Sequence, residues 1–236
     1  MRRIGALLAL LPMAALVVAG AAQATANRRY GPNEYVVISN GVAPDGRHAI
    51  TAHGKGELGD EDFHLYLMGA AGPQGRARIG PLEEVSEILD TDAQAYDAAW
   101  TPDSRHVALH YRADRHLRVA MIYRIEARRA FLVSGPMPLD VVAGPELGDP
   151  EVFKATARDI EVTWISGDSF RLVDKGTVRT TRRDLTMNRL GAYGEPSRVP
   201  GNDDDRATFF FEYALVAECR LVAGNRYEIV SVKPDE

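Results

Sequence analysis

A single cysteine, Cys219, stands among 236 residues, so no disulfide can form within the chain and packing must hold the fold. It lies in the apolar run 213–222, where it reads as a small buried hydrophobe. A catalytic thiol needs a partner base and an electropositive setting, and no such motif surrounds it. An excess of basic residues is also missing. The 28 Lys and Arg face 33 Asp and Glu, a formal net charge of −5, which argues against nucleic acid because that partner demands a concentrated basic patch. The familiar signatures of catalysis and nucleotide binding are absent as well. There is no G-x-S-x-G elbow, since Gly167-Asp168-Ser169-Phe170-Arg171 lacks the second glycine, and no H-E-x-x-H, P-loop or G-x-G-x-x-G.

One long apolar run is present, at the N-terminus. Arg2 and Arg3 precede the apolar residues 4–20, which contain Pro12, and small residues then lead to Ala24-Thr25-Ala26, an A-x-A cleavage pattern. The stretch barely reaches the ~20 residues that a membrane span requires, and polar Asn27, Arg28 and Arg29 follow at once. The expectation is a signal peptide, residues 1–26, cleaved from a periplasmic or secreted protein with no stable membrane insertion. No cysteine near the cut could accept a lipid, and the Arg pair lacks the rest of a twin-Arg pattern, so general secretion is the expected route. Removing two Arg and no acid leaves the mature chain more acidic still. Residues 27–236 are long enough to bury a core without staples and are expected to form a single β-rich domain.

What the sequence does have is a phrase used twice. Ala43-Pro44-Asp45-Gly46-Arg47-His48-Ala49-Ile50 returns as Thr101-Pro102-Asp103-Ser104-Arg105-His106-Val107-Ala108-Leu109. Pro presets φ, Asp caps backbone amides and Gly takes the left-handed position, so each phrase reads as a turn leading into an apolar strand. Strand-like segments flank both turns: residues 35–39, 48–53, 63–68 and 76–80 around the first, and 98–100, 106–111, 117–123 and 129–133 around the second. Residues 82–89 carry Leu82, Val85, Ile88 and Leu89 at helical spacing and predict one short helix. Four prolines between 136 and 150 mark a break. Beyond it, 160–165 and 169–173 form a hairpin around Ser166-Gly167-Asp168, and 207–213, 215–222 and 227–232 read as three further strands.

The units 42–82 and 100–133 resemble the propeller repeats of TolB-like proteins. In both, a turn of the type [W/F]-S-P-D-G-[K/R] is followed by an apolar strand, a polar turn and a strand of the "qiYvm" type. Here A-P-D-G-R-H-A-I precedes F-H-L-Y-L-M, and W-T-P-D-S-R-H-V-A-L precedes R-V-A-M-I-Y. The resemblance covers clear repeats at 35–80 and 96–134 and fades in the divergent half 150–236. It implies an all-β fold, a small or partial propeller of about four antiparallel units. A four-unit propeller and a partial propeller with a β-rich C-terminal half fit the length equally well.

Chemistry is harder to find. His106 and His110 on one strand lie roughly 13 Å apart at ~3.3 Å per residue, too far to share a metal, and His48 and His53 face opposite sides. Asp60-Glu61-Asp62, Asp203-Asp204-Asp205 and the looser set Asp90, Asp92 and Asp97 do not match a spaced calcium loop and read as solvated loops. Asp45 and Asp103 read as turn residues in preference to catalytic carboxylates. The sequence therefore assigns no catalytic, cofactor-binding or metal residue and names no cofactor. It points to an exported, non-catalytic binding or scaffold module of the bacterial cell envelope whose partner is another envelope or periplasmic protein. The alternative is an exported hydrolase or lyase whose site is assembled from His53, His64 and His110 with Asp62 or Asp97.

Overall fold

Alternation of apolar and polar residues drives nearly every described element into a strand. The computed structural model describes residues 26–54, 63–72, 75–83, 85, 89–143, 153–180, 196–199 and 208–235. The first unit is an antiparallel meander of β1 (Val36–Val42), β2 (Ala49–His53), β3 (His64–Gly72) and β4 (Gly75–Pro81). The second repeats the plan with β5 (Asp97–Trp100), β6 (His106–Asp114), β7 (Leu117–Glu126) and β8 (Arg129–Val133). The third consists of β9 (Phe153–Trp164), β10 (Ser169–Thr180), β12 (Thr208–Val222) and β13 (Arg226–Pro234), with the short β11 (Pro196–Val199) beside the start of β12.

The units join through parallel contacts. Ser39 of β1 pairs with Asp97 of β5, and Leu117 and Arg118 of β7 pair with Arg158 and Asp159 of β9. The hydrogen-bonded path runs from β11 to β4, and its two ends do not meet. The described strands thus form three meanders in an open stack, not four units.

Burial explains the stacking. β6 turns Val107, Leu109 and Tyr111 toward a core shared with Ile38, Ile50, Phe63, Leu65 and Tyr96 of the first unit and its surroundings. Ala108 faces the other way, joining Ile122 and Val133 in a core with Ile160, Val162, Phe170, Leu172 and Cys219 of the third unit. The second meander is therefore covered on both faces. That is why the repeat reads His-Val-Ala-Leu-His-Tyr, with little alternation, where a half-solvated strand would alternate. Each fully buried Leu or Ile here contributes about 1.5–3 kcal/mol.

Several expectations are corrected. The helix expected over 82–89 does not appear in the described part of that segment: Leu82, Glu83, Val85 and Leu89 are turn or irregular backbone, and residues 84 and 86–88 lie outside the described residues. Leu82 is buried and Val85 packs against the first core, so the apolar spacing served packing and not a helix. The described α-helix is instead α1 (Pro138–Ala143), inside the proline-rich break. Pro138 opens it, a position where the missing N–H costs nothing. Leu139 covers a third core of Val178, Phe211, Tyr213 and Leu215. The strands expected at 207–213 and 215–222 are one continuous β12, and the hairpin strands expected at 160–165 and 169–173 extend to Phe153–Trp164 and Ser169–Thr180. The hairpin has a bulge between Thr177 and Val178, and Gly176 sits just before it: a Cβ on Gly176 would lie 2.1 Å from the carbonyl oxygen of Ala157.

Candidate functional site

The two Pro-Asp phrases fold as the spacing predicts. In the first turn the amide of Gly46 donates to Ala43 O (2.9 Å) and Asp45 Oδ1 accepts from the Arg47 amide (2.9 Å). In the second, the amide of Ser104 donates to Thr101 O (2.9 Å), while Asp103 Oδ1 accepts from the Arg105 amide (3.1 Å) and the Thr101 hydroxyl (2.7 Å). Gly46 (φ 69°) and Ser104 (φ 60°) occupy the same left-handed position. The turns also touch, because the Asp45 amide donates to Ser104 Oγ (3.1 Å), and Gly167 of the third unit lies against the Asp103 carboxylate. Burial opposes ionisation of Asp103, yet the Thr101 hydroxyl, the Arg105 amide and the neighbouring positive charges outweigh it and hold its pKa below the ordinary value. Both aspartates are spent on backbone geometry.

The three candidate histidines separate into two neighbourhoods. His53 of β2 is directly opposite His64 of β3, and Asp97 of β5 is directly opposite His110 of β6. These pairs belong to different meanders, and Asp62 lies outside the described residues. His110 is buried and its Nε2 accepts from the Val162 amide (3.0 Å), which requires the neutral ring. Burial, with help from Arg118, pushes its pKa down. Asp97 accepts from Asn40 Nδ2 (2.7 Å). His53 Nδ1 donates to Glu34 O (2.8 Å), and His64 is exposed. Among the described residues, no three His, Cys, Asp or Glu side chains are grouped to hold a metal ion. The loose acidic set is likewise dispersed by function: Asp90 is ion-paired with Arg112 (2.8 Å), and Asp92 caps the 3-10 turn Ala93–Ala95 through the Gln94 amide (2.9 Å). The runs 60–62 and 203–205 lie outside the described residues. The Cys219 thiol is buried, which raises its pKa to about 12 and keeps it protonated and inert.

Two hollows and one face among the described residues bear on function. A cleft of about 550 Å³ runs beside β5 and β6, lined by Asp90, Asp92, Gln94, Asp97, His110 and Arg118. Asp90 is paired there with Arg112, while Asp92, Asp97 and His110 accept from the Gln94 amide, the Asn40 side chain and the Val162 amide. A smaller hollow of about 400 Å³ lies between His106 and Arg124 and the turn Gly224-Asn225-Arg226, but Arg124 is already held by Asn225 Oδ1 (2.7 Å) and Glu126 (2.8 Å).

The face is on the first meander. Tyr35 stacks on His53 with ring centroids 4.4 Å apart, and Tyr66 meets Tyr35 edge-on at 5.3 Å. The exposed Arg78 donates to the Tyr35 hydroxyl (3.1 Å) and places its guanidinium 5.7 Å from the centre of the Tyr66 ring. Tyr30 and Arg28 extend the arrangement, the guanidinium 5.3 Å from the ring. Burial pushes the Tyr30 hydroxyl up to about 12, so that ring is uncharged at neutral pH beside the Arg28 guanidinium. The linear sequence did not single out this cluster. Its signal was the register: with Val36 opposite Ala52 and Thr51 opposite Tyr66, the aromatic positions fall together on one face. Comparison of the chain with protein-family models, with curated proteins and with solved structures returned no match.

Proposed function

We propose that the chain is an exported, non-catalytic binding or scaffold module of the bacterial cell envelope, a partial propeller of TolB-like type that recognises another envelope or periplasmic protein. The observation that carries this reading is the face formed by Tyr35, His53, Tyr66 and Arg78. Tyrosine and arginine are enriched among the residues that anchor protein interfaces, because both offer a large flat surface with a polar end. The face is held rigid by its own stacking and by the Arg78 to Tyr35 hydrogen bond, so ordering costs little on association. It also adjoins β4, where the sheet path ends. The partial-propeller reading is supported by the three four-stranded antiparallel meanders packed face to face, with the first strands of units one and two side by side.

The alternative, an exported hydrolase or lyase, would have to work in the cleft beside Asp97 and His110. The lone pair that a general base needs is occupied there by the Val162 amide.

The test is in-cell crosslinking of the tagged, exported chain followed by identification of envelope partners. We expect one specific protein, recovered with the parent and lost with Tyr35→Ala and Arg78→Ala, while circular dichroism and melting temperature show both variants folded. Recovery of nothing above background, or of a partner that both variants retain, would count against this face as the binding surface.

A further inference from the structure

Ala26 is hydrogen-bonded into the fold on both its amide and its carbonyl. The amide of Ala26 donates to Asp90 Oδ1 (2.7 Å), and its carbonyl accepts from the Thr91 and Asp92 amides (2.9 and 3.0 Å). The Arg28 amide donates to Thr91 Oγ1 (3.1 Å) and the Tyr30 hydroxyl to Thr91 O (2.8 Å). Asp90 is only 2 % exposed and is gripped by Arg112 through Nε (2.9 Å) and Nη2 (2.8 Å), while its carbonyl accepts from the hydroxyl of buried Tyr96. Residues 26–30 are thus laced onto residues 90–92, which lead directly into the 3-10 turn and β5.

This arrangement bears on where an exported precursor is cut. Loss of Ala26 would take one donor from a buried carboxylate and leave two amides, one of them on the 6 % exposed Thr91, without their shared acceptor. The small-residue tract offers a second A-x-A pattern two positions earlier, Ala22-Gln23-Ala24. Cutting there keeps every one of these bonds and leaves Ala26 an ordinary peptide amide, with the new terminal charge one residue further out.

Resting on the export reading, we propose that the processing site is the Ala24–Thr25 bond and that the mature protein begins at Thr25. Water adds across that peptide bond, leaving the carboxylate on Ala24 and the ammonium on Thr25. Ala26 then belongs to the domain, bonded to Asp90, Thr91 and Asp92, and is not the last residue of a discarded leader.

The full 236-residue chain should be expressed with export and the product's intact mass measured. A chain starting at Thr25 supports the proposal. A start at Asn27 overturns it while leaving export standing, and an uncut chain that retains Met1 overturns both. Two variants sharpen the result. Ala22→Asp should abolish or displace the cut, because Ala22 belongs only to the earlier pattern, and Ala26→Leu should be processed as the parent is; the reverse result places the cut after Ala26. The structural ground is tested without export by releasing chains that begin at Thr25 and at Asn27 from a fusion. The shorter chain should melt lower by ~5 °C or more for a domain of this size, and equal melting temperatures would remove the argument.

Discussion

At the residue scale, the polar side chains that attract attention in the sequence are mostly fixing backbone. The most committed group is one the sequence did not flag. Asp174 is fully buried and accepts from Arg158 Nε and Nη2 (2.9 and 2.7 Å), from the Tyr213 hydroxyl (3.0 Å) and from the Leu139 amide (3.1 Å). It ties β9, β10, β12 and α1 together. Asp174→Ala should therefore cost ~3–5 kcal/mol in urea unfolding, because it strands the largely buried Arg158 guanidinium. Arg158→Met combined with Asp174→Leu should recover a large part of that loss, and a double variant no better than the single would refute the account.

The histidines of β6 set the acid response. Burial, and for His106 the charges of Arg124 and Arg105, lowers the pKa of both His106 and His110 from the ordinary value near 6.5. The unfolded chain therefore binds more protons than the folded one below that value. Their stabilisation is complete above about pH 6.5 and is lost as pH falls toward the folded pKa values, by at most ~1.4 kcal/mol per pH unit for each histidine. His110→Gln, which retains an acceptor for the Val162 amide, should reduce the slope of stability against pH in this window by up to half. An unchanged slope would mean that His110 takes up its proton without unfolding.

At the element scale, turn chemistry was readable and register was not. Pro-Asp-Gly and Pro-Asp-Ser specified their turns because φ preference and Asx capping are local. Gly46 sits at φ 69° with open space where a Cβ would go, so Gly46→Ala should cost only ~1–2 kcal/mol of left-handed strain. Gly176 is the opposite case. Its backbone is unexceptional, but Ala157 O lies where the methyl would go, so Gly176→Ala should force β9 and β10 apart and cost more than Gly46→Ala in thermal denaturation. A smaller cost would mean that the bulge adapts freely. The helix expected at 82–89 failed for the same reason that register was unreadable. Leu82 and Val85 are spaced for a helix face, but what decides their backbone is the core they meet, as the Leu82 amide bonding to Leu65 O (2.7 Å) illustrates.

At the scale of the whole molecule, the second meander is the common wall of two cores. Trp100 packs against the core shared with the first unit and Trp164 against the core shared with the third. The variants Trp100→Phe and Trp164→Phe each leave one fluorescent reporter, one per core. Because β6 lines both, the two should report coincident urea midpoints. Separated midpoints would show that the third meander unfolds on its own. The aromatic face belongs to this scale too, since Tyr35, His53 and Tyr66 become neighbours only when three strands align.

By itself the sequence determined the all-β class, the two repeated turns and most strands of the first two units, because propensity, alternation and turn chemistry act over a few residues. Tertiary structure decided what lies far apart along the chain: the three-unit open stack, the Arg158–Asp174 tie, the dispersal of the histidines and the Ala26 anchorage on Asp90. Those outcomes depend on which faces must be covered and which buried polar groups must find partners, and such demands are set only when distant segments come into contact.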